Sequence, residues 1–293
     1  MNSKLKNIIL TPMNILYAIS PKTELELLFR IKQGYKLNLK NPKTFNEKLQ
    51  WMKLYWKSEV REQCSDKYMV RKYIEERCPE TLTNLYWQGF DAKDIPFDRL
   101  PDKFVLKATH GSGFNIICRD KSKLDINETR KKLNGWLKEK YIRCYGEEFY
   151  GKIKPSIIVE EYLEGDTEQN LTDYKVMCFD GEPTYIWVVF DRYSEQGPQG
   201  VVLDLNWNVV ENVYMSYPLR DRDKIPQKPN ALSQLLNYAR FISKGLPHVR
   251  VDMYMIEDRI VFGEMSFSHG AGLDKIKPYD FDKKLGDFFK LPK

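Results

Sequence analysis

The 293-residue sequence predicts an α+β protein, because helical patterns fill its N-terminal third and strand patterns follow. In the first part, apolar residues recur at helical spacing, as Leu25, Leu28 and Ile31 do. From residue 104 onwards, short runs rich in β-branched and aromatic residues are separated by turn sequences such as DGEP at 180–183. Two amphipathic helices are inserted among these strands, which are expected to pair mainly in antiparallel fashion.

The helical part is predicted to contain three helices. The first covers 23–33 with Thr23 as its cap, and the third covers 66–77. Between them, Thr44 and Glu47 have the spacing of a capping box in front of the second helix. The helical pattern therefore ends before the first convincing strand of the chain.

Composition and the N-terminal segment indicate a cytoplasmic protein. The net charge of +6 is small for this length, and without a dense Lys/Arg block it argues against nucleic acid as a partner. Five scattered cysteines without a C-x-x-C pair suit reduced thiols rather than a zinc site. The apolar N-terminal run is interrupted by Pro12 and Asn14 and is too short to span a bilayer. We expect it to pack on the core; a peripheral contact with the inner face of a membrane is the alternative.

The segment FVLKATHGSG, residues 104–113, places Lys107 in a strand directly before a glycine-rich loop. Glycines let backbone N–H groups approach an anion, so Gly111, Ser112 and Gly113 could cover phosphate. The loop matches neither the Walker A pattern nor G-x-G-x-x-G, and a plain glycine-containing hairpin is the alternative.

Two further strands could complete a nucleotide site. In SIIVEEYLEGD, Tyr162 and Leu163 could flank an adenine base while acids beyond them reach ribose hydroxyls. In DYKVMCFDG, Lys175 lies inside a strand, where a charge is costly unless it is paired, so Lys107 and Lys175 suggest a shared anion. The alternatives are a solvated acidic turn and an edge-strand lysine.

The hairpin VRVDMYMIEDRIVFGEMSF alternates polar and apolar residues with period two. Arg250 and Asp252 share one face of its first strand, and Phe262, Glu264 and Ser266 are predicted to share one face of its second. If these faces coincide, two carboxylates and a hydroxyl converge, which is donor chemistry that suits Mg²⁺. A solvent-facing polar stripe is the alternative. Because a metal site is built for charge, we expect loss of either acid to leave the fold intact.

In this order, Lys107 with HGSG, VEEYLEG, DYK and RVD…GEMSF resemble the ATP-grasp superfamily, and more closely its TupA-like branch, which is associated with bacterial polysaccharide and teichuronopeptide biosynthesis. NPKTFNEKLQW, DKYMVRKYI and DYKVMCFDGEP add to a resemblance that spans about residues 20–275. It implies ATP bound with Mg²⁺ between two α+β lobes, a small lobe over 97–163 and a C-terminal lobe over 164–293. A helical region over 1–96 precedes them in place of the usual front domain.

The resemblance also implies roles for individual residues. The implied nucleotide-binding residues are Lys107, His110, Gly111, Ser112, Gly113, Glu160, Glu161, Tyr162, Leu163, Asp166, Thr167 and Lys175. The implied metal ligands are Asp252, Glu264 and Ser266, with Ser266 in place of the superfamily's usual asparagine. Catalytic roles fall to Arg250, Lys175 and His269. His110 and His269 adjoin the glycine loops and could contact phosphate or acceptor, or be ordinary polar loop residues.

The implied reaction is an ATP-dependent carboxylate–amine ligation through an acyl phosphate. The implied acceptor is a uronic acid of a cell-surface polysaccharide or its precursor, the donor is an amine or amino acid, and polysaccharide assembly proteins are the expected partners. A glycosyltransferase is one alternative, with DLN at 204–206 and DRD at 221–223 as its nearest acidic motifs. A non-catalytic ATP-binding assembly subunit is the other.

Overall fold

The computed structural model describes residues 3–164, 171–192 and 194–292. Helices lead the chain, and two larger antiparallel sheets and a two-stranded one follow, as the sequence predicts for an α+β protein. The N-terminal helices are α1 (Ser3–Ile19), α2 (Pro21–Gln33), α3 (Phe45–Tyr55), α4 (Glu59–Cys64) and α5 (Met69–Glu75).

The predicted helix starts are partly corrected. The capping box of Thr44 and Glu47 is present at the start of α3. Thr23, however, lies inside α2, which begins at Pro21 after the cap Ser20, because proline favours the first helical position. The prediction of one helix over 66–77 is wrong about where the helix begins. The preceding helix α4 ends at Cys64, and α5 begins at Met69 rather than at residue 66.

The described part of α1 packs on the core, as expected for the N-terminal segment. Tyr17 is buried and shares a cluster with Leu25 of α2 and with Cys144. The side chain of Asn14 accepts a hydrogen bond from the backbone N–H of Cys144 at 2.9 Å. No helix in the described ranges is long and apolar enough to cross a bilayer.

The first sheet has four strands in the order β1–β4–β2–β3. Its central strands pair Leu106 with Val159 and Lys107 with Ile158. β2 and β3 form the predicted hairpin around the glycine loop. Helix α6 (Ile126–Trp136) covers this sheet through Leu133. The strands are β1 (Leu85–Gly89), β2 (Phe104–Ala108), β3 (Asn115–Cys118) and β4 (Ile157–Glu161).

Strand β1 changes the predicted division of the chain. It pairs with β4, although it lies within the region predicted to be helical. A boundary at residue 97 would therefore separate β1 from its sheet, and we propose that the small lobe begins before Leu85.

The second sheet has five strands in the order β10–β9–β5–β6–β7. Helix α7 (Leu232–Ser243) packs on one face, and α3 packs on the other together with α8 (Tyr279–Phe288). The strands are β5 (Asp173–Phe179), β6 (Glu182–Phe190), β7 (Gln199–Leu203), β9 (His248–Ile256) and β10 (Arg259–Ser266); β8 (Tyr214–Met215) and β11 (Ile276–Lys277) pair separately.

A bulge in the β9–β10 hairpin sets the register of its acidic residues. The turn at residues 257–258 pairs Met253 with Phe262, and this register alone would place Asp252 opposite Gly263. The bulge after Phe262 instead brings Glu264 opposite Asp252. The prediction that Phe262 shares the face of Glu264 is therefore wrong, and Phe262 packs in the apolar core.

Candidate functional site

A cleft of about 390 Å³ is lined by strands of both larger sheets and by the glycine loop. Most of the residues that the resemblance assigns to nucleotide or metal binding lie on its wall. These are Lys107, Ser112, Gly113, Glu160, Glu161, Tyr162, Leu163, Lys175, Asp252 and Glu264. The fold thus brings together side chains from four separate sequence segments.

A second cavity of about 820 Å³ adjoins this cleft, because Lys67, Ser112, Phe114 and Glu264 line both. Five other predicted residues lie on its wall and not on that of the cleft: Arg250, Ser266, His110, Gly111 and His269. The remaining wall comes largely from the helical region and the 139–150 segment, including Lys32, Tyr141, Tyr145, Glu147 and Tyr150.

Lys107 is held by a buried ion-pair network at the centre of the cleft. Its Nζ lies 2.6 Å from Glu160 Oε2, and Arg71 Nη1 lies 3.1 Å from the other oxygen of the same carboxylate. Burial raises the pKa of Glu160, but Lys107 and Arg71 outweigh it and hold the pKa below its usual range. Arg71 is itself fixed by the Thr83 carbonyl at 2.6 Å. Both oxygens of the Glu160 carboxylate are therefore paired with cations, and Glu160 lines the cleft together with Lys107.

Lys175 lies on the opposite side of the cleft, within β5. Its Nζ is 2.5 Å from Asp252 Oδ2 and 3.5 Å from Asp173 Oδ2. Arg192, which also lines the cleft, forms an ion pair with Asp173. The charge of this inward lysine is thus paired, as its buried position requires.

Arg250 connects the acids of the β9–β10 hairpin. Its Nε and Nη2 donate to the two oxygens of Asp252 at 2.6 and 2.7 Å, and Nη2 also donates to Ser266 Oγ at 3.0 Å. Its Nη1 lies 2.5 Å from His269 Nδ1. Burial raises the pKa of Asp252, but Arg250 and Lys175 more than offset this and lower it below the usual range.

The donor chemistry of this hairpin fits a hard cation. Asp252 and Glu264 are directly opposite each other, and Ser266 lies opposite Arg250. The Glu264 side chain is 48% exposed, with Arg250 Nη2 at 3.6 Å, whereas Asp252 is 1% exposed and both its oxygens accept from cations. Within the described residues, no three His, Cys, Asp or Glu side chains cluster as a metal site. A cation here would need water or phosphate oxygens as further ligands, and Arg250 or Lys175 would have to release Asp252.

The glycine loop has the backbone that its sequence suggests. Gly111 and Gly113 have φ values of +85° and +78°, which side-chain-bearing residues rarely adopt. The loop is tethered by Lys67, which donates from Nζ to the Gly111 carbonyl at 2.5 Å. Burial lowers the pKa of Lys67.

The two loop histidines are buried and make different contacts. His110 Nε2 forms a hydrogen bond with the Trp136 carbonyl at 3.1 Å. Because a carbonyl oxygen can only accept, this nitrogen carries the proton. Burial lowers the pKa of His110, and burial together with the charge of Arg250 holds that of His269 well below its usual range. His269 is thus neutral around pH 7.

At the predicted hinge, the carboxylate of Glu161 is also occupied. It pairs with Arg259 at 2.7 Å and accepts from the backbone N–H of Asn84 at 3.0 Å. Tyr162 and Leu163 line the cleft, as a base-flanking role requires. The predicted ribose contacts, Asp166 and Thr167, lie outside the described residues.

Sequence reasoning missed Lys67 and Arg71, two cations that the helical region contributes to the cleft. Both lie in DKYMVRKYI. Their spacing of four residues within an apolar helical pattern could have indicated that they lie on one face. It also missed Ser216 and Asp274, whose side chains share a hydrogen bond at 2.8 Å beside His269. Their sequence positions carry no motif.

Comparison with models of protein families gives a match over most of the chain. The family model described as TupA-like ATPgrasp matches residues 47–290. No curated protein matches the chain significantly in sequence.

Solved structures with a similar fold share little sequence with the chain. The D-alanine–D-alanine ligase of Bacillus anthracis complexed with ATP has a TM-score of 0.49 and 14% identity, with 78% of this chain and 66% of the ligase covered. The chain therefore spans just under two thirds of that ligase. The Helicobacter pylori D-alanine–D-alanine ligase has a TM-score of 0.43 and 14% identity over 84% of this chain and 69% of its own. The ATP-grasp ligase PsnB complexed with its minimal precursor has a TM-score of 0.40 and 12% identity over 71% and 54%.

Proposed function

The chain belongs to the TupA-like ATP-grasp family, and from that premise we propose that it is an ATP-dependent carboxylate–amine ligase. The observation that carries the proposal is the placement of Lys107, Lys175, Asp252 and Glu264 around one cleft that opens beside a larger cavity. The cleft would take ATP, and the cavity would take the acceptor. Glu264 lines both, so phosphoryl transfer would occur near its carboxylate.

The cations of the cleft suit this chemistry. A carboxylate that attacks the γ-phosphate needs its own charge and that of the phosphates neutralised more than it needs a protein nucleophile. Lys107 and Lys175 approach from the two sheets, and Lys67 lies between the cleft and the cavity. The ion pairs with Glu160 and Asp252 would hold the two strand lysines in place until phosphate arrives.

Arg250 would stabilise the reacting phosphoryl group from the cavity side. The hydrogen bonds to Asp252, Ser266 and His269 use four of its five N–H groups and fix the plane of the guanidinium. The fifth, on Nη1, would be available for a phosphoryl oxygen.

We also assign Mg²⁺ to Asp252 and Glu264, with Ser266 as a weaker third ligand on the cavity side. Bound there, Mg²⁺ would neutralise charge on the nucleotide phosphates. The proposed acceptor is a uronic acid of a cell-surface glycan or its precursor, and the donor is an amine or amino acid. The site would work in the cytoplasm, with membrane contact limited to the inner face.

The glycosyltransferase alternative is less well supported, because the carboxylates of its acidic motifs accept hydrogen bonds within local turns. Asp204 Oδ1 accepts from the backbone N–H groups of Asn206 and Asn208 at 2.9 and 2.8 Å. Asp221 Oδ1 accepts from the backbone N–H of Asp223 at 3.1 Å. Neither segment lines the cleft or the adjoining cavity.

ADP release in the presence of Mg²⁺ tests the proposal. The purified protein would be assayed against uronic acids paired with amines and amino acids, with sugar nucleotides as the transferase control. We expect ADP and phosphate to appear only with a carboxylate present. Sugar transfer from a sugar nucleotide without ATP consumption would contradict the proposal.

A further inference from the structure

The second cavity contains a hydrogen-bond chain that starts at Arg250 and runs through three side chains. Arg250 Nη1 lies 2.5 Å from His269 Nδ1, His269 Nε2 lies 3.3 Å from Ser216 Oγ, and that hydroxyl lies 2.8 Å from Asp274 Oδ2. Both His269 and Arg250 are buried, and Asp274 is on the cavity wall.

The Arg250 guanidinium at one end and the Asp274 carboxylate at the other determine which atom donates in each of these hydrogen bonds. Arginine can only donate, so His269 Nδ1 must accept. The neutral imidazole then carries its proton on Nε2 and donates to Ser216 Oγ. The Ser216 hydroxyl is left to donate to the carboxylate of Asp274. The direction is therefore the same along the whole chain, from cation to carboxylate.

Two residues near this hydrogen-bond chain have strained backbone conformations. Ser216 and Ala271 have φ values of +59° and +56°, which are unusual for residues with side chains. Any side chain at Gly270 would collide with the carboxylate of Asp274. The ring of His269 is also held edge-on by Trp187, with centroids 4.9 Å apart.

The helical region fixes the loop that carries His269 and Asp274. Gln50 donates to the Gly272 carbonyl at 2.7 Å, and Lys53 donates to the Ala271 carbonyl at 2.7 Å. Asn46 and Gln33 donate to the Asp274 carbonyl at 3.0 and 3.1 Å. Four side chains of α2 and α3 thus hold a loop that is distant from them in sequence.

We propose that His269 is a positioning residue that orients Arg250 for phosphoryl transfer, with Ser216 and Asp274 fixing its tautomer. His269 acts as a neutral hydrogen-bond acceptor and transfers no proton. This inference rests on the proposed function for its kinetic part only, because the tautomer can be measured without turnover.

The tautomer is tested by nitrogen NMR of histidine in the intact protein. The chain has three histidines, so substitution of each in turn assigns the signals. We expect His269 to remain the Nε2–H tautomer from about pH 6 to 8, with an Nδ1 signal that moves in Arg250→Met. An Nδ1–H tautomer, an imidazolium, or an Nδ1 signal unaffected by Arg250→Met would overturn the proposal.

The kinetic test compares two substitutions of His269. His269→Leu removes the acceptor, and we expect kcat to fall by about 10–100-fold with little change in nucleotide affinity. His269→Asn places Oδ1 near the position of Nδ1 and should restore most of this loss with an unchanged pH profile. Equal losses in both variants, with one limb of the pH profile missing, would show proton transfer instead.

A double-substitution cycle separates positioning from a general structural effect. If His269 acts through Arg250, adding His269→Leu to Arg250→Met should lower kcat no further. An additional loss as large as that in the wild-type background would contradict the proposal. If no acceptor supports turnover, the proposed ligase function fails, while the NMR result still decides the role of His269.

Discussion

The two adjoining cavities differ in how they are built. The smaller cleft is formed by strands of two sheets, and its cations are neutralised in place by Glu160 and Asp252. The larger cavity is walled mainly by residues of the N-terminal helical region, the 139–150 segment and a strained loop whose carbonyls are held by α2 and α3. On the proposed function, the cleft would bind ATP and the cavity would select the acceptor.

The largest expected effect concerns the two acids of the cleft. Asp252→Asn removes a buried charge from between Arg250 and Lys175, so we expect about 3 kcal/mol lower stability and a turnover loss of about 10²–10³-fold. For Asp252, this prediction differs from the expectation drawn from the sequence, because the carboxylate is buried between two cations.

Glu264→Gln is the matched control for that change. Its side chain is 48% exposed, so stability should change by less than about 1 kcal/mol while Mg²⁺-dependent turnover still falls. Chemical denaturation and ADP release measure both quantities. An Asp252→Asn protein as stable as wild type, or a fully active Glu264→Gln protein, would count against this account of the cleft.

Sequence patterns predicted the cleft better than the cavity for a physical reason. Lys107, Lys175 and the hairpin acids lie in strands whose periodicity and order are visible locally. The pairing of Asp252 with Glu264 nevertheless depends on the bulge at Gly263, where a Cβ would lie 2.9 Å from the Asp252 carbonyl. Periodicity does not encode that shift, and it misplaced Phe262.

The polar contacts that shape the cavity could not be predicted, and neither could strand β1, because both depend on distant partners. Leu85 pairs with Glu160 of a distant strand. Gln50 donates a hydrogen bond to the Gly272 carbonyl, in the loop that follows the β9–β10 hairpin. Ser216 lies 3.3 Å from His269, although the two residues are 53 positions apart in the sequence. No periodicity or motif marks such contacts.

A smaller effect concerns the helical region behind the cavity. Glu24 is fully buried, and neither of its carboxylate oxygens has a hydrogen-bond partner among the described residues. Burial raises its pKa to about 7, although the charge of Lys53 opposes this. The stability that protonated Glu24 contributes is complete below about pH 4.5 and is lost as the pH rises through 7.

Glu24→Gln should therefore stabilise the protein at pH 8 by about 1–3 kcal/mol and have little effect at pH 4.5. Denaturation at several pH values measures this, with Glu26→Gln on the same helix as the control. A stability difference that does not change with pH would contradict the assignment.

The smallest expected effect concerns an exposed cation of the cavity wall. Lys32→Met should raise the acceptor KM by about 2–5-fold and leave the ATP KM unchanged. An effect of this size corresponds to the small free energy that an exposed ion pair contributes. Lys36→Met, an exposed lysine outside the cavity wall, is the control. A change in ATP KM alone would mean that the two cavities do not divide the substrates as proposed.

The central claim is that the cleft binds the phosphates of ATP, and calorimetric titration with Mg²⁺ and a non-hydrolysable ATP analogue tests it most directly. Wild type should bind one analogue per chain, and a sugar nucleotide should not compete. Lys107→Met keeps much of the side-chain volume but removes the charge, and should weaken binding at least about tenfold, or 1.4 kcal/mol. Equal affinity in wild type and Lys107→Met, or tight sugar-nucleotide binding without any effect of the ATP analogue, would contradict the account.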